Sequence, residues 1–303
     1  MKKYLMTIVG PTAVGKTALS LHLAKRFQTV ILSADSRQFY QELNIGTAKP
    51  TPQEVAEVPH HFVDFLSPLQ SYSAAQYQRE AEALLDKLFE KHDVLIMVGG
   101  STLYMDAMWY QMDDMPEVPA EIRSELQAAF LQNGLNPLVE ELENVDPATF
   151  ALIDRQNPAR VIRALEVYRT SGKPISFFRK GKKARDTHYA FIKLGLQDAR
   201  EVLYQRINQR VLDMIEQGLI AEVQGLLDKG YAPTLQSLLT IGYQEVIPYL
   251  KGAYDLDEAI RLIQRNSRRY AKRQLTYYRR YPDIQWFQAG DFTSVDAWLA
   301  NTL

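Results

Sequence analysis

Eight residues near the amino terminus, GPTAVGKT from Gly10 to Thr17, carry the spacing G-x-x-x-x-G-K-T. Gly10 and Gly15 allow a loop whose backbone N–H groups face an anion with no side chain in the way. Lys16 adds a point charge for phosphate oxygens, and the Thr17 hydroxyl is of the kind that binds Mg²⁺. Two further groups have chemical potential: Asp35 in SADSRQFY and Ser101 in VGGSTLY, each just beyond an apolar run. The loop predicts phosphate binding, and a nucleoside triphosphate is the default ligand of such a loop.

Strands and helices in alternation must position these residues. YLMTIV before the loop reads as a buried strand, and ALSLHLAKRF after it as a helix whose N-terminal dipole favours an anion. TVILS, HDVLIMV and AFIKLGL are further apolar runs with helical patterns between them. The alternation predicts an α/β fold, a P-loop-type parallel sheet with helices on both faces. Asp35 then falls at the carboxyl end of a strand, where open α/β sheets bind ligands. The competing reading is an aspartate that caps the next helix. Gly99 and Gly100 permit close backbone approach, and Ser101 places a hydroxyl beside the loop. HDVLIMV ends without the acidic residue that holds the metal in an ordinary nucleotide hydrolase, which speaks against ATP hydrolysis.

Residues 116–187 break the alternation with short proline-punctuated helical stretches, ending at Gly172–Pro174. The expected organisation is a core over 1–115, a helical insertion domain over 116–187, and a return to the core with a basic helical C-terminal region over 188–303. With 303 residues and 46% hydrophobic content the chain can build a sizeable core. The absence of cysteine excludes disulfides, a thiol nucleophile and a cysteine zinc site, and the five histidines show no metal spacing. No apolar run approaches the ~20 residues of a membrane span, so the expectation is a soluble cytoplasmic protein without a membrane partner.

The net charge of −1 hides polarity along the chain. Gln111 to Asp146 holds nine acidic residues and one basic one, Arg123; Arg155 to Arg185 holds ten basic and one acidic, Glu166; Ala259 to Pro282 holds eight basic and no acidic residues. Two basic blocks in a near-neutral chain, one interleaved with aromatics as RRYAKRQLTYYRRY, suggest a localised polyanion footprint. Solvated helix faces are the plainer alternative.

Eight collinear segments carry a resemblance: GPTAVGKT, ADSRQFYQELNIGTAKP, PHHFVDFLSP, YSAAQYQREA, GGSTLY, RVIRALEVYRTSGKP, IGYQEV and AKRQLTYYRR. In these the chain resembles the tRNA dimethylallyltransferases, which isopentenylate the adenosine 3′-adjacent to the tRNA anticodon. The resemblance implies that Gly10, Pro11, Thr12, Ala13, Val14, Gly15, Lys16 and Thr17 cradle the diphosphate of dimethylallyl diphosphate as a leaving group, with Mg²⁺ at Thr17 and no ATP consumed. Growing negative charge on a departing diphosphate suits such donors. It further implies that Arg210 adds a guanidinium to the diphosphate, that Asp35 is the general base, and that Ser101, where the family usually has Thr, bonds around the reacting centre. Thr12 belongs to the loop and also reaches the substrate on this reading.

The anticodon loop of tRNA, with the target base extruded, is implied at Asp35, Ser36, Arg37, Gln38 and Ser101. The insertion contributes Arg123 and the segment Asn157, Pro158, Ala159, Arg160 and Val161; the C-terminal region contributes Lys272, Arg273, Gln274, Thr276 and Arg279. Arg123 would be the one positive contact of an acidic block that faces away from RNA. Departures are Thr102 where glycine is common and Tyr277 where the family usually has Trp. His60 and His61 read as packing and hydrogen-bonding residues. The chain lacks the cysteines of the zinc finger found in some eukaryotic relatives, and its working state is expected to be a monomer. Rival readings are a phosphotransferase using the loop for ATP and a non-catalytic GTPase-like RNA-binding module. The first is opposed by the basic blocks, the second by the absence of an N-K-x-D signature.

The charge blocks generate a test of their own. Neutralising Arg160, Lys272, Arg273 or Arg279 singly is expected to make the slope of log tRNA affinity against log salt shallower, by about 0.7 to 0.9 for each phosphate left without its cation. Donor binding is expected to stay unchanged, and Arg273 to matter more than Lys272, because a guanidinium also stacks on a base. Unchanged slopes in all four variants would make these blocks solvated faces.

Overall fold

Strand β1 (Tyr4–Val9) is apolar apart from Thr7, and from Leu5 onward every residue is buried. Such a strand requires partners on both edges and cover on both faces. In the computed structural model, which describes residues 2–303, it has them. The other strands are β2 (Ile31–Ser33), β3 (His60–His61), β4 (Val94–Val98), β5 (Ala190–Gln197) and β6 (Gln285–Gln288). They form one sheet in the order β3-β2-β4-β1-β5-β6, every pair parallel. Ile8 lies opposite Val98 on β4 and Leu194 on β5, so the carboxyl ends of the three central strands are level. The core packs sheet residues Met6, Ile8, Ile31, Ile96, Ile192 and Leu194 against Leu19 and Leu23 of the helix Lys16–Arg26.

The α/β class and its four apolar strands match the sequence reading; β3 and β6 are additions to it. β3 has two half-buried histidines, and QWFQ of β6 has only Phe287 buried. Neither shows the apolar run by which a buried strand is recognised.

The loop after β1 turns sharply. Gly10 has φ 145°, and a Cβ there would lie 2.6 Å from the Leu196 carbonyl oxygen, so only glycine fits. Gly15 has φ 101° and opens the helix Lys16–Arg26, whose first turn receives no side-chain cap. Its N–H groups therefore remain available to a ligand.

The chain forms two compact units, one of the residues up to Trp109 with Asp186–Leu303, the other Tyr110–Arg185. The second opens earlier than its prolines suggest, because Tyr110 bridges Ala184 and the Gln111 N–H donates to the Lys183 carbonyl at 2.9 Å. It is helical, with helices Ala120–Asn133, Asn136–Val145, Pro147–Leu152, Pro158–Ser171 and Ile175–Phe178. They close on Leu126, Leu138, Leu142, Val161, Leu165 and Val167. Asp146, 2% exposed, ties two of them: its carboxylate accepts the Thr149 N–H at 3.0 Å and the Ser176 N–H at 3.0 Å. Burial disfavours its charge, but these amide hydrogen bonds prevail and hold the carboxyl below its ordinary value.

A carboxyl whose pKa is lowered by folding stabilises above the unfolded value of about 4, and the contribution is lost as pH falls through the lowered value. Asp146→Ala is expected to destabilise the helical unit by about 2 kcal/mol, read as faster hydrogen exchange at the Thr149 and Ser176 amides of the full chain. The difference from wild type should shrink below about pH 4. Equal exchange in both proteins would remove Asp146 from this role.

Candidate active site

A cleft of about 490 Å³ opens in the first unit among Thr12, Lys16, Thr17, Asp35, Gly100 and Arg210. Three segments build it: the loop after β1, the turn after β2 and the end of β4. The helix Arg200–Glu216 brings in Arg210 from the far side of the sequence. Strand alignment places these together, as the topology of an open parallel sheet predicts.

Lys16 is half-buried in the cleft, its ammonium donating to the Gly10 carbonyl at 3.1 Å and the Pro11 carbonyl at 2.8 Å. Burial pulls its pKa down to about 8; Asp35 works against this and Arg210 adds to it. The Arg210 guanidinium is likewise lowered by burial, with Asp35 the opposing influence. Among the described residues Arg210 has no hydrogen bond or ion pair, so two desolvated cations share one carboxylate. The Asp35 carboxylate accepts the Arg37 N–H at 3.1 Å, an Asx-type turn that fixes it at the end of β2. Thr17 lines the cleft at the start of its helix.

Several neighbours are engaged elsewhere. The Ser101 hydroxyl accepts the Ser36 N–H at 2.9 Å and donates to the Ser36 hydroxyl at 3.1 Å. The hydroxyl thereby also shapes the turn that carries Asp35. Gln38 accepts from the Ser33 hydroxyl and donates to the Ala48 carbonyl, each at 2.9 Å. Arg37 donates to the Gln236 carbonyl at 2.7 Å and the Leu239 carbonyl at 3.4 Å, so its guanidinium braces a segment of its own chain.

The expected RNA contacts divide the same way. Lys272, Arg273, Thr276 and Arg279 are exposed on the helix Leu256–Tyr278 and its C-terminal cap, with Arg273 stacked 5.7 Å from the Tyr270 ring. Gln274 is corrected: it is 2% exposed and bonded to the Thr12 N–H and the Gly100 carbonyl. In the helical unit Arg160 and Ala159 are exposed. Val161 is fully buried in that unit's core and offers no contact, whereas half-exposed Asn157 uses its Oδ1 to cap the Arg160 N–H. Arg123 is no lone cation: it donates to Glu166 at 3.2 Å, which also pairs with Arg163 at 3.0 Å.

Cleft residues that escaped the sequence reading of the site include Thr47, Lys49, Arg206 and His60. The first two lie in NIGTAKP, whose density of polar groups was the available signal. Lys49 is tied to Asp64 at 2.5 Å and to the Asn44 side chain at 3.0 Å, and Arg206 to Asp198 at 2.8 Å. His60 is lowered by burial and its Nδ1 faces the Val58 carbonyl at 2.7 Å, a hydrogen-bonding role as read from sequence. A wider groove of about 870 Å³ adjoins, sharing Ala48, Lys49 and Arg210 and presenting apolar Ile45, Val55, Val63 and Met214.

The model of the family described as IPP transferase matches residues 38–281. The chain belongs to that family. Relatives within it include the tRNA dimethylallyltransferase of Cytophaga hutchinsonii, 46% identical over all of this chain and 98% of that one. Another is tRNA dimethylallyltransferase 1 of Bacteroides thetaiotaomicron, 44% identical over 96% of this chain and 93% of that one. Among solved structures, the tRNA isopentenylpyrophosphate transferase of Bacillus halodurans is similar with a TM-score of 0.72 and 40% identity over 99% of this chain and 95% of that chain. A eukaryotic dimethylallyltransferase acting on tRNA is similar with a TM-score of 0.77 and 26% identity, covering 97% of this chain and 76% of that one.

The Lys16 environment sets a pH dependence. In the free protein its ammonium persists below about pH 8 and is lost above it; a bound diphosphate favours the cation and raises that value. Affinity for inorganic pyrophosphate is therefore expected to weaken by up to about tenfold per pH unit above pH 8. Lys16→Met should bind more weakly and show only the ligand's own titration. Calorimetric titrations of both proteins between about pH 7 and 9.5 decide it, and parallel profiles would refute the lysine's part.

Proposed function

We propose that this cleft transfers a dimethylallyl group from dimethylallyl diphosphate to the exocyclic amino group of the adenosine 3′-adjacent to the anticodon in tRNA. The observation that carries the reading is the electrostatic imbalance of the cleft: the desolvated cations Lys16 and Arg210 are opposed by Asp35, while the other lining carboxylate, Glu54, is committed to the Thr51 N–H. A diphosphate supplies the missing negative charge, and gains more of it as the allylic C–O bond breaks. Donors fixed in place before that charge develops stabilise the transition state without reorganising. The uncapped N–H groups at the start of the helix Lys16–Arg26 add to the same field.

The acceptor nitrogen is a poor nucleophile, its lone pair delocalised into the ring. As the new C–N bond forms and the C–O bond breaks, diphosphate leaves with the electron pair and the amino proton passes to Asp35. Asp35 is held for this by the Arg37 N–H and by the turn that Ser101 fixes. A divalent magnesium ion suits the hard oxygen donors of Thr17 and Asp35 that line the cleft, and supplies charge neutralisation of the diphosphate when bound. Exposed Lys272, Arg273 and Arg279 are available to RNA phosphates. Among the described residues no helix is long and apolar enough to cross a membrane. The reading takes the working state to be a monomer acting on tRNA in the cytoplasm.

The test is an assay with unmodified tRNA, Mg²⁺ and dimethylallyl diphosphate, with ATP omitted, read as prenyl mass on the RNA. Strict ATP dependence with ADP released would favour a phosphotransferase instead. Asp35→Asn keeps the shape but cannot take the proton. Turnover is expected to fall about 10²- to 10⁴-fold, with tRNA affinity changed far less. Near-normal turnover would remove Asp35 as the base.

A further inference from the structure

The helix Leu256–Tyr278 has two functional faces. Lys272, Arg273 and Thr276 point outward, while Ala271, Gln274 and Tyr278 are buried at helical spacing. Gln274 is the polar member of that inner row. Its Oε1 accepts the Thr12 N–H at 2.8 Å, and its Nε2 donates to the Gly100 carbonyl at 2.9 Å. Both bonds cross the sequence to backbone that lines the cleft: Thr12 in the glycine-rich loop and Gly100 after β4. Thr12 and Gly100 have no direct hydrogen bond to each other among the described residues, so the amide of Gln274 is the link between them.

Gly100 lies next to the reacting groups. A Cβ there would collide with the Gln274 amide nitrogen and would stand 3.6 Å from an Asp35 carboxylate oxygen. One side chain thus fixes a peptide of the loop around Lys16 and the peptide of Gly100, whose open side faces Asp35. A side-chain amide does both because it carries a donor and an acceptor on one planar group at any pH. Glutamate lacks the donor and methionine lacks both.

We infer that Gln274 is a positioning residue for prenyl transfer, holding the diphosphate loop and the Asp35 base at a fixed separation, and that it makes no contact with RNA. The roles of loop and base rest on the function proposed above; the brace itself rests on geometry. Substituting Gln274 frees the Thr12 peptide to rotate, leaves its N–H unpaired, and leaves the Gly100 carbonyl only the longer bond from the Tyr270 hydroxyl at 3.4 Å. Its effect should fall on the diphosphate and on turnover rather than on tRNA affinity, although its neighbours in sequence are the exposed basic residues.

The experiment compares full-length wild type, Gln274→Met, Gly100→Ala and the double variant. Inorganic pyrophosphate affinity is measured by calorimetry, tRNA affinity at several salt concentrations, and kcat and donor KM at saturating tRNA. Gln274→Met is expected to weaken pyrophosphate about tenfold and to lower kcat by a similar factor, the scale of one buried hydrogen bond. tRNA affinity and its salt slope should match wild type. Gly100→Ala should reproduce the defect, because its methyl displaces the same amide while leaving every residue of the basic helix in place. It therefore tests the brace even if Gln274→Met does not fold. The double variant should be little worse than either single one, as residues sharing one interaction are not additive. The inference is overturned if pyrophosphate affinity and kcat stay within about twofold of wild type. It is equally overturned if the defect lies in tRNA affinity with a shallower salt slope, or if the two substitutions add fully. A wild type that binds pyrophosphate but transfers no prenyl group would instead sink the proposed function, leaving the pyrophosphate arm to report on the brace.

Discussion

Two half-buried, desolvated cations in one cleft, both under the influence of one carboxylate, is the condition around which this site is arranged. Lys16 and Arg210 are both desolvated and share the same counter-ion, Asp35. Left alone, a buried cation without a hydrogen-bonded partner is costly. Lys16 is partly relieved by the Gly10 and Pro11 carbonyls, which are ends of backbone dipoles rather than charges. Arg210 has no such relief among the described residues. The electrostatic cost is placed where a polyanion removes it, and that explains why the loop, the helix start and the guanidinium converge on one cleft at the carboxyl ends of the strands.

Keeping such a cleft open demands that its walls be satisfied without filling it. The loop Asn44–Gly46 shows how. Glu222, from the helix Leu219–Asp228, accepts the N–H groups of Asn44, Ile45 and Gly46 at 3.1, 2.9 and 3.3 Å, and the Tyr243 hydroxyl at 2.5 Å. That carboxylate holds in place the segment whose next residues, Thr47 to Pro50, line the cleft. Ser101 does the same for the turn at Ser36, and Gln38 links Ser33 to Ala48. With these groups committed to one another, the residues left with chemical freedom are Lys16, Thr17, Asp35 and Arg210. The selection of reacting groups is thus made as much by the bonds of their neighbours as by their own types.

What the sequence revealed follows from the range of the interactions involved. β1, β2, β4 and β5 were legible because a strand buried on both faces must be an unbroken apolar run. The loop was legible because glycine, lysine and threonine act there over eight residues. Asp35 could be placed by its position after a strand. The fates of Ser101, Arg37 and Gln274 were not legible, since each is decided by a partner far along the chain: Ser36, Gln236 and Thr12. A glutamine between two arginine-rich stretches has the composition of a surface residue. Only the helical phase, with Ala271 and Tyr278 on the same inner row, turns it inward. Val161 in the other unit is the apolar counterpart, buried inside a segment whose exposed members are Ala159 and Arg160.

The same distinction governs the basic blocks. A count of arginines and lysines measures a polyanion footprint only for charges not already paired within the protein. On the helix Leu256–Tyr278, Arg261 pairs with Glu258 at 2.6 Å, while Arg265 and Arg268 keep their charge but commit donors to the neutral amides of Asn266 and Asn208. In the helical unit Arg163 and Arg123 share Glu166, and Arg169 grips Glu141 at 2.6 Å. Exposed Arg160, Lys272 and Arg279 have no such partner among the described residues. A cation already neutralised by a carboxylate displaces few of the counter-ions condensed on a nucleic acid. An unpaired one keeps both its charge and its hydrogen-bond donors for the incoming strand. Sequence charge therefore sets an upper bound on electrostatic attraction, and the side-chain pairing sets its value. By that measure the charge free to meet a polyanion is concentrated at the C-terminal end of the long helix, around the inward amide of Gln274 that reaches the glycine-rich loop.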